Sequence, residues 1–102
     1  MVGVYKIQSK KNPKLIYIGS SIDIEKREKE HLSALRLNKH PNKKLQNYFN
    51  KNKQDLILSV LTCCDKTELD LTEQFFIDTY KTYFNITTIV TKRGEKLSGI
   101  RI

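Results

Sequence analysis

The amino-acid sequence predicts one small α+β domain, and three observations carry this prediction. Two apolar runs, at residues 2–8 and 15–19, are rich in β-branched and aromatic residues and flank a Lys/Asn/Pro turn, which is typical of a β-hairpin. A third apolar run, at residues 55–64, has the composition of a strand. Three other segments carry apolar residues at helical spacing. At 102 residues, the chain has room for a single hydrophobic core.

Each strand of the predicted hairpin holds a tyrosine beside a glycine. Gly3 and Tyr5 lie in the first strand, and Tyr17 and Gly19 lie in the second. A glycine inside a strand marks a bend or a close approach of another group. Two hydroxyl groups next to two such places indicate a site, although either tyrosine alone would more often pack on a sheet face.

The first helix is predicted over residues 24–37, after a polar loop in which Ser21 or Asp23 can cap it. Its apolar stripe contains Ile24, Leu32 and Leu35. His31 falls within this stripe, and Arg27 lies at its edge, so both are expected to point toward the sheet. A lone histidine on an apolar face is more often a core residue than a catalyst. Because Arg27 lies one turn away, we weigh a core role and a catalytic role for His31 evenly.

Pro41 suits the first turn of a second helix, which is predicted to end near residue 52. The predicted buried face of this helix consists of Leu45, Tyr48 and Phe49. The strand that follows, at residues 55–64, is apolar on both alternating sets of positions. It is therefore predicted to be the central strand of the sheet, covered on both faces.

Asp65 and Glu68 have the spacing of a capping box, which predicts the start of a third helix. The predicted stripe of this helix consists of Leu69, Phe76 and Tyr80. Glu73 lies in the middle of that stripe, where an unpaired carboxylate would cost several kcal/mol or be neutralised. We therefore expect Glu73 to pair with a cation such as Arg27, to bind a metal ion, or to lie at the mouth of a cleft.

The last predicted structural piece is a short extended segment at residues 83–87, in which Asn85 is the polar member. A buried asparagine usually ties loops together through its amide. The basic, glycine-containing segment 91–102 is interpreted as a tail or the start of a linker. The predicted organisation is thus one domain over residues 1–90, followed by this tail.

The net charge of +8 and the pI near 9.6 constrain the partners more than the fold. Nine of the nineteen basic residues lie between residues 26 and 53, where there are only two acidic residues. Such a basic region favours binding of a phosphate backbone, although a merely solvated surface is equally compatible with the charge. The candidate phosphate contacts are Lys26, Lys43 and Lys44.

Two classes of protein are disfavoured by the sequence. No apolar run is long enough to span a membrane, so no membrane segment is predicted. Cys63 and Cys64 are neighbours at the end of a predicted strand and should point to opposite faces, so they suit neither a mutual disulfide nor a shared metal. We expect both to be reduced, in an intracellular protein.

The motifs resemble those of the GIY-YIG nuclease family over roughly residues 2–90. The matching positions, in chain order, are Gly3-Val4-Tyr5, Tyr17-Ile18-Gly19, Arg27, Glu73 and Asn85. Valine replaces the isoleucine of the first motif and leaves the tyrosine in place. The run at residues 17–29 is most similar to the homing-endonuclease branch, which would fit a phage or mobile-element origin.

The resemblance implies a three-stranded antiparallel sheet flanked by about three helices, and Mg²⁺-dependent hydrolysis of DNA, with Mn²⁺ as a substitute. It implies that Tyr5 is the general base that activates water. Tyr17 would bond the scissile phosphate or the water shell of the metal, and Arg27 would neutralise charge on the phosphoryl oxygens. Glu73 would be the single protein ligand of the metal, and Asn85 would organise the site.

Two histidines also match positions in the family. His31 corresponds to a histidine that assists the tyrosine in some members, and His40 to a histidine found in homing members. Homing members continue into a linker and separate DNA-binding modules. We therefore expect either a catalytic domain whose DNA-targeting domain is missing from this chain, or a compact stand-alone nuclease, acting as a monomer on duplex DNA.

The main alternative is a catalytically silent nucleic-acid-binding domain that kept the fold. The simultaneous presence of all five motif elements argues against it, because a decayed site would lose at least one. A structural or protein-interaction role ranks third, and it would predict DNA binding that hardly responds to salt.

Overall fold

The computed structural model describes residues 1–80 and 82–85. Strands β1 (Gly3–Ser9), β2 (Ile16–Ser21) and β3 (Leu56–Cys63) form one antiparallel sheet, and the helices are α1 (Ile24–Arg36), α2 (Lys43–Lys51) and α3 (Leu69–Tyr80). Within these residues the architecture confirms the predicted α+β class with its three strands and three helices, whereas residues 83–85, predicted to be extended, form no strand. The end of the predicted extended segment and the basic tail lie outside the described residues.

The strand order is β2-β1-β3, so β1 is the central strand and the prediction that the third strand is central was wrong. Strand β3 is therefore an edge strand of the sheet, and helix α3 packs mainly on β2 and β1. Ile57 is 50% exposed and Val60 is 43% exposed. The apolar residues at both alternating sets of positions of β3 therefore indicated that this segment forms a strand. They did not indicate that both faces of the strand are buried.

Side chains pack on both faces of the sheet, which makes the domain a sandwich. The residues buried between the sheet and helices α1 and α2 are Tyr5, Ile7, Ile24, Leu35, Leu45 and Phe84. The residues buried beneath α3 are Val4, Ile16, Ile18, Leu69 and Ile77. Because side chains alternate along a strand, Tyr5 faces α1 and α2 whereas its neighbour Val4 faces α3.

Both strand glycines lie where another group approaches the backbone closely, as the sequence predicted. A Cβ atom on Gly19 would lie 2.5 Å from the Tyr5 hydroxyl, because the tyrosine ring rests on this glycine across the β1–β2 pair. A Cβ on Gly3 would collide with the carbonyl oxygen of Thr62 on β3. The β1–β3 pairing shifts register between Val4 and Tyr5, so a bulge lies beside Tyr5.

Helix α1 begins as predicted, with the Asp23 side chain accepting from the Lys26 amide at 3.1 Å. Its buried residues are Ile24, His31 and Leu35, whereas Leu32 is 38% exposed. The expectation that Leu32 points inward was wrong, because the buried stripe of α1 is narrower than predicted. Arg27 lies at the edge of this stripe, as predicted: its side chain is 46% exposed, and its guanidinium interacts with Tyr5 on the sheet.

The other two helices begin later than predicted. Pro41 precedes the first turn of α2, whose N-cap is Asn42; the Asn42 side chain accepts from the Leu45 amide at 3.1 Å. Residues Lys66–Glu68 form a 3₁₀ turn in which Asp65 makes no side-chain capping bond, so the predicted capping box does not form. The polar residues and the proline in these two segments therefore predicted the first residues of α2 and α3 only to within a few positions.

In helix α3 the buried residues are Leu69 and Ile77, and Glu73 lies between them at four-residue spacing. Tyr80 is 37% exposed, so its predicted place in the buried stripe was wrong. Glu73 itself is half-buried. The prediction that a carboxylate lies on the sheet-facing side of this helix is therefore confirmed.

A buried carboxylate fixes the β-hairpin turn to the rest of the domain. Asp55 is 4% exposed and accepts hydrogen bonds from the Ser9 hydroxyl at 2.5 Å, the Tyr48 hydroxyl, and the Lys11 amide at 3.1 Å. The bonds from Ser9 and Tyr48 hold the pKa of Asp55 below its usual range. This cluster links β1, α2 and the start of β3 away from the tyrosine pair.

In the part of the chain that the structure describes, no helix is long and apolar enough to cross a membrane. Cys63 and Cys64 are both free thiols at the end of β3. This agrees with the expectation that two neighbouring strand residues form no mutual disulfide.

Candidate active site

Two strands and one helix bring three of the candidate side chains into contact. Tyr5 from β1, Tyr17 from β2 and His31 from α1 pack together, with ring centroids 6.5 Å apart for the two tyrosines, and 5.6 Å and 5.7 Å from His31 to Tyr5 and Tyr17. The Tyr5 hydroxyl and His31 Nε2 are hydrogen-bonded at 2.6 Å. The predicted histidine is thus a direct partner of the first tyrosine.

The second histidine extends this contact. His40 Nε2 lies 2.8 Å from His31 Nδ1, and the Asn42 backbone amide donates to His40 Nδ1 at 3.0 Å. The backbone amide of His40 donates in turn to Gln46 Oε1 at 3.0 Å, which fixes the loop before α2. His40, which rested on the resemblance alone, therefore joins the cluster. From the sequence, Asn42 and Gln46 were expected on the exposed, phosphate-binding side of α2; this was wrong, because they are only 6% and 4% exposed.

Arg27 lies at the solvent side of the tyrosine pair. Its guanidinium donates to Glu30 Oε1 at 3.2 Å, and both side chains are about half exposed. The positive charge of Arg27 acts to lower the pKa of Tyr5 and of Tyr17. Arg27 thus contacts both Glu30 and the site, because its hydrogen bonding to Tyr5, like its charge, lowers the pKa of Tyr5.

Glu73 approaches the same end of β2 from the opposite face of the sheet. The Ser20 hydroxyl donates to Glu73 Oε1. Ser20 faces α3 because it follows Ile16 and Ile18 at the two-residue period of the strand. The negative charge of Glu73 acts to raise the pKa of Tyr5 and of Tyr17, so the carboxylate and the tyrosines share one electrostatic environment. Sequence reasoning missed Ser20, although this alternation could have revealed it.

Asn85 attaches the last described segment to the outer edge of β2. Its Oδ1 accepts from the Ile18 amide at 2.8 Å, and its Nδ2 donates to the Ile18 carbonyl at 2.9 Å. The backbone amides of Tyr83 and Phe84 both donate to the carbonyl of Ile16, at 3.1 and 3.0 Å. The amide therefore ties segments together, as the sequence suggested, and it does so one residue before Gly19.

Burial sets the charge states of the aromatic groups. Burial, then the neighbouring Tyr17, raises the pKa of Tyr5, and Arg27 opposes both effects. Burial and the charge of Glu73 likewise raise the pKa of Tyr17. Both tyrosines are therefore neutral phenols in the free protein, and formation of a phenolate requires additional positive charge nearby.

Burial also sets the charge state of His31, and this has a measurable consequence. Burial, together with the charges of Arg27 and His40, lowers the pKa of His31 to about 4. Unfolded histidine binds its proton near a pKa of about 6.5, so between these values the unfolded state holds more protons. We expect the free energy of unfolding to fall as pH drops through this window, by about 3 kcal/mol for His31 alone. Urea unfolding at several pH values measures this change in the free energy of unfolding.

The His31→Gln variant is the control for this effect. It removes the titrating group and should show a clearly smaller fall in unfolding free energy over the same window; His40, whose pKa burial also lowers, accounts for the remainder. A parallel fall in the parent and in the variant would show that His31 does not carry the effect.

Gly19→Ala is expected to displace Tyr5. The added methyl would lie 2.5 Å from the Tyr5 hydroxyl and 2.6 Å from Cζ, which requires a shift of a ring that is only 1% exposed. Overpacking of this kind costs about 1–3 kcal/mol of stability. We expect a lower melting temperature and loss of the Tyr5–His31 contact in NMR spectra. Retention of both would contradict the close packing.

The open surface at this end of the domain is a cleft of about 480 Å³. Its lining residues are Ser20, Ser21, Ile22, Asp23, Lys26, Arg27 and Glu30. The cleft thus exposes Ser20, which is hydrogen-bonded to Glu73. It also exposes Arg27 and Lys26, one of the predicted phosphate contacts. Tyr5 lies behind this surface.

The donor set near the cleft fits a weakly held, oxygen-preferring cation. Among residues 1–80 and 82–85, no group of three or more His, Cys, Asp or Glu side chains could hold a metal ion. Glu73, with the Ser20 hydroxyl on it, is the carboxylate that reaches β2 from the α3 face of the sheet. Mg²⁺ suits such a site, because it keeps most of its waters and takes further ligands from substrate phosphates.

The remaining lysine candidates, Lys43 and Lys44, lie in the first turn of α2 and are exposed. Lys44 Nζ lies 4.6 Å from the centroid of the Tyr83 ring and donates to the Tyr83 carbonyl at 3.4 Å. This places Lys44 near the start of β2, whereas Lys26 lies at the cleft.

The sheet, the paired tyrosines, and the arginine and glutamate that meet at one strand end define a nuclease domain of the GIY-YIG type. The GIY-YIG catalytic domain family matches residues 1–86, and the chain belongs to this family. The predicted family and fold are therefore confirmed.

Two solved structures are similar to this chain. The catalytic domain of the homing endonuclease I-TevI superimposes with a TM-score of 0.72 and 31% identity, over 79% of this chain and 89% of that one. A glutamate-to-alanine mutant of the catalytic domain of the intron endonuclease I-TevI gives a TM-score of 0.71 and 26% identity, over 94% and 97% of the two chains. No curated protein matches the chain significantly. The similarity supports the predicted likeness to the homing branch.

Proposed function

We propose that this domain is a divalent-metal-dependent endonuclease that hydrolyses a DNA phosphodiester bond by in-line attack of water. The observation that carries the proposal is that four groups from four elements lie around β2. Tyr5, Tyr17 and Arg27 lie on one side of this strand, and Glu73 reaches it from the other. In phosphoryl transfer, positioning and charge stabilisation do most of the catalysis, and this arrangement provides both.

Tyr5 is the general base in this proposal. A neutral phenol is a poor base, and burial makes the Tyr5 phenolate still less favourable because it raises the pKa. Arg27 acts in the opposite direction, since its positive charge and its hydrogen bonding to the Tyr5 oxygen both lower this pKa. Tyr17, which is half-buried, would hydrogen-bond the scissile phosphate or the water shell of the metal.

Arg27 neutralises the phosphate and opens the site. Its ion pair with Glu30 is solvent-exposed, and such pairs contribute only about 0–1 kcal/mol. A phosphate in the cleft can therefore draw the guanidinium away from Glu30. Because Tyr5 is 1% exposed, a movement of this kind is what gives water access to the Tyr5 hydroxyl.

Glu73 would hold the metal ion, oriented by the bond from Ser20. A bound Mg²⁺, or Mn²⁺ in its place, supplies positive charge that stabilises the phosphoryl oxygens. Asn85 organises the site indirectly, because it holds the last described segment on β2 beside Gly19.

Lys26 at the cleft is expected to bind a DNA phosphate. Lys26→Ala should weaken DNA binding for all sequences alike, and it should reduce the slope of log affinity against log salt by about 1, as expected for one lost phosphate contact. Fluorescence anisotropy with a short duplex at several salt concentrations measures this. Lys10→Ala, in the exposed hairpin turn, is the matched control. An unchanged slope for Lys26→Ala would show that Lys26 does not contact DNA. The double variant Lys43→Ala, Lys44→Ala tests in the same way whether helix α2 contacts DNA.

The catalytically silent DNA-binding domain is the second candidate, and one observation favours it. Tyr5 is almost fully buried in the free protein, as a purely structural tyrosine would be. Under this alternative, DNA binding would persist with normal salt dependence and no bond would be cut under any metal condition.

A labelling experiment tests the proposed chemistry. Cleavage of plasmid DNA in H₂¹⁸O under single-turnover conditions should place one ¹⁸O atom in each new terminal phosphate, with no protein–DNA adduct trapped by detergent. A covalent phosphotyrosine adduct trapped by detergent would show that Tyr5 or Tyr17 is a nucleophile and not a base. Absence of cleavage with intact DNA binding would favour the silent domain.

The organisation of the active protein is also a proposal. Residues 1–90 form the catalytic unit, act as a monomer inside the cell, and obtain most of their target specificity from a DNA-binding domain elsewhere. The surface around the cleft is small compared with that of specific DNA-binding modules, so the preference of the isolated domain for sequence should be shallow.

A further inference from the structure

A line of three hydrogen bonds joins Tyr5 to the backbone of Asn42 through two buried histidines. The distances are 2.6 Å from the Tyr5 hydroxyl to His31 Nε2, 2.8 Å from His31 Nδ1 to His40 Nε2, and 3.0 Å from the Asn42 amide to His40 Nδ1. The side chains are almost inaccessible, with exposures of 1%, 4% and 5% for Tyr5, His31 and His40. Each ring nitrogen therefore has to be satisfied within the protein.

The Asn42 amide fixes the positions of the hydrogens along this line. A backbone N–H can only donate, so His40 Nδ1 is an acceptor and carries no hydrogen. A neutral imidazole has one N–H, which on His40 must then be at Nε2 and points to His31 Nδ1. The same reasoning places the hydrogen of His31 on Nε2, where it is donated to the oxygen of Tyr5. The reverse direction would leave His40 without any ring hydrogen.

The other states of the two rings are unfavourable. A protonated His40 would direct a ring N–H at the amide N–H of Asn42, and a flip of either ring would place carbon atoms against its hydrogen-bonding neighbours. Burial keeps both rings neutral near pH 7, since it lowers the pKa of His31 to about 4 and also lowers the pKa of His40. The bond from the His40 backbone to Gln46 holds the ring in register with Asn42.

We propose that the Asn42 amide, acting through His40, holds His31 as a hydrogen-bond donor to Tyr5. His31 therefore does not take the proton of Tyr5; it stabilises the phenolate after that proton has left. His40 and the Asn42 backbone are positioning groups, and the hydroxyl hydrogen of Tyr5 is directed away from His31.

The consequence for catalysis rests on the proposed function. The Tyr5 proton leaves to solvent on the Arg27 side, and the phenolate keeps its bond from His31 Nε2. The attacking water then forms the new P–O bond while its proton passes to the phenolate, the P–O bond to the leaving oxygen breaks, and that oxygen takes a proton from solvent. Tyr5 is thereby returned to its neutral form, and neither histidine changes its tautomer.

NMR of the uniformly ¹⁵N-labelled full chain tests the hydrogen positions without reference to cleavage. We expect the ¹⁵N shifts of both histidines to show a bare Nδ1 and a protonated Nε2. We also expect ¹⁵N–¹⁵N couplings across the two N–H···N bonds, between Asn42 N and His40 Nδ1 and between His40 Nε2 and His31 Nδ1. A hydrogen on Nδ1 of either ring would overturn the proposal.

Two variants test whether His40 sets the tautomer of His31. His40→Leu removes the donor to His31 Nδ1, so the His31 resonances should shift toward a mixture of tautomers. His40→Gln keeps an N–H donor of similar reach and should restore the parent pattern. An unchanged His31 tautomer in His40→Leu would show that His40 does not control it. If His40→Leu fails to fold, the couplings in the parent still decide the matter.

The cleavage assay separates this proposal from the proposed function. If both histidines show the expected tautomers but the parent cuts no DNA in the presence of Mg²⁺, the assigned hydrogen positions stand and the nuclease assignment fails. If the parent cuts DNA while His31 carries its hydrogen on Nδ1, the nuclease assignment stands and the donor role of His31 is wrong.

Discussion

Replacing Glu73 by glutamine is expected to abolish metal-dependent cleavage and to leave DNA binding nearly unchanged. The variant keeps the volume of the side chain and can still accept from Ser20, but it removes the negative charge. Loss of a catalytic metal withdraws several kcal/mol of charge stabilisation, which corresponds to a rate at least about 10³-fold lower. Single-turnover cleavage of plasmid DNA, with anisotropy for DNA binding, measures both quantities.

The matched control is Glu68→Gln, which neutralises an exposed carboxylate just before helix α3. It should cut DNA at the rate of the parent. If Glu73→Gln also cut at the parent rate, Glu73 would not be the metal ligand. A loss of DNA binding in Glu73→Gln alone would indicate that the carboxylate is needed for the fold around Ser20.

Arg27→Ala is expected to slow the chemical step by about 10³-fold or more. Arginines that neutralise a transferring phosphoryl group contribute about 10³–10⁵ to the rate. The loss should appear in kcat, because Arg27 also acts on the proton affinity of Tyr5. Stability should change little, since the ion pair with Glu30 is exposed. Single-turnover rates at saturating protein, with thermal unfolding, measure the two effects.

Arg36→Ala is the control for this variant, because it removes an exposed arginine at the other end of helix α1. It should cleave at nearly the parent rate. Arg27→Lys provides a second comparison: it keeps the charge but loses the planar donors, so its rate should fall between those of Arg27→Ala and the parent. Equal rates for Arg27→Ala and Arg36→Ala would remove Arg27 from the mechanism.

The tyrosine side of the site could be predicted well from the sequence. Gly3 and Gly19 are conspicuous inside strands, and the structure shows the close approach that each permits. The position of Glu73 on the sheet-facing side of α3 also followed from helical spacing, because a carboxylate among apolar residues is unusual enough to be informative.

Other features depended on three-dimensional packing that a linear pattern does not contain. The central position of β1 depends on its pairing with both β2 and β3, so the apolar composition of β3 was misleading. The line from Tyr5 to the Asn42 amide depends on the loop before α2 folding back onto α1. A backbone donor leaves no trace in a sequence, and His40 was identified only through the family resemblance.

The measurement that tests the account most directly is nicking of supercoiled plasmid by the parent chain with Mg²⁺, with EDTA, and with Mg²⁺ restored after EDTA. Conversion of supercoiled to nicked or linear DNA should occur only when Mg²⁺ is present, and it should return when the ion is restored. Cleavage that continues in EDTA would contradict a mechanism based on Glu73 and a divalent ion. Absence of cleavage in every arm, with DNA still bound, would contradict the assignment of the domain as an active nuclease.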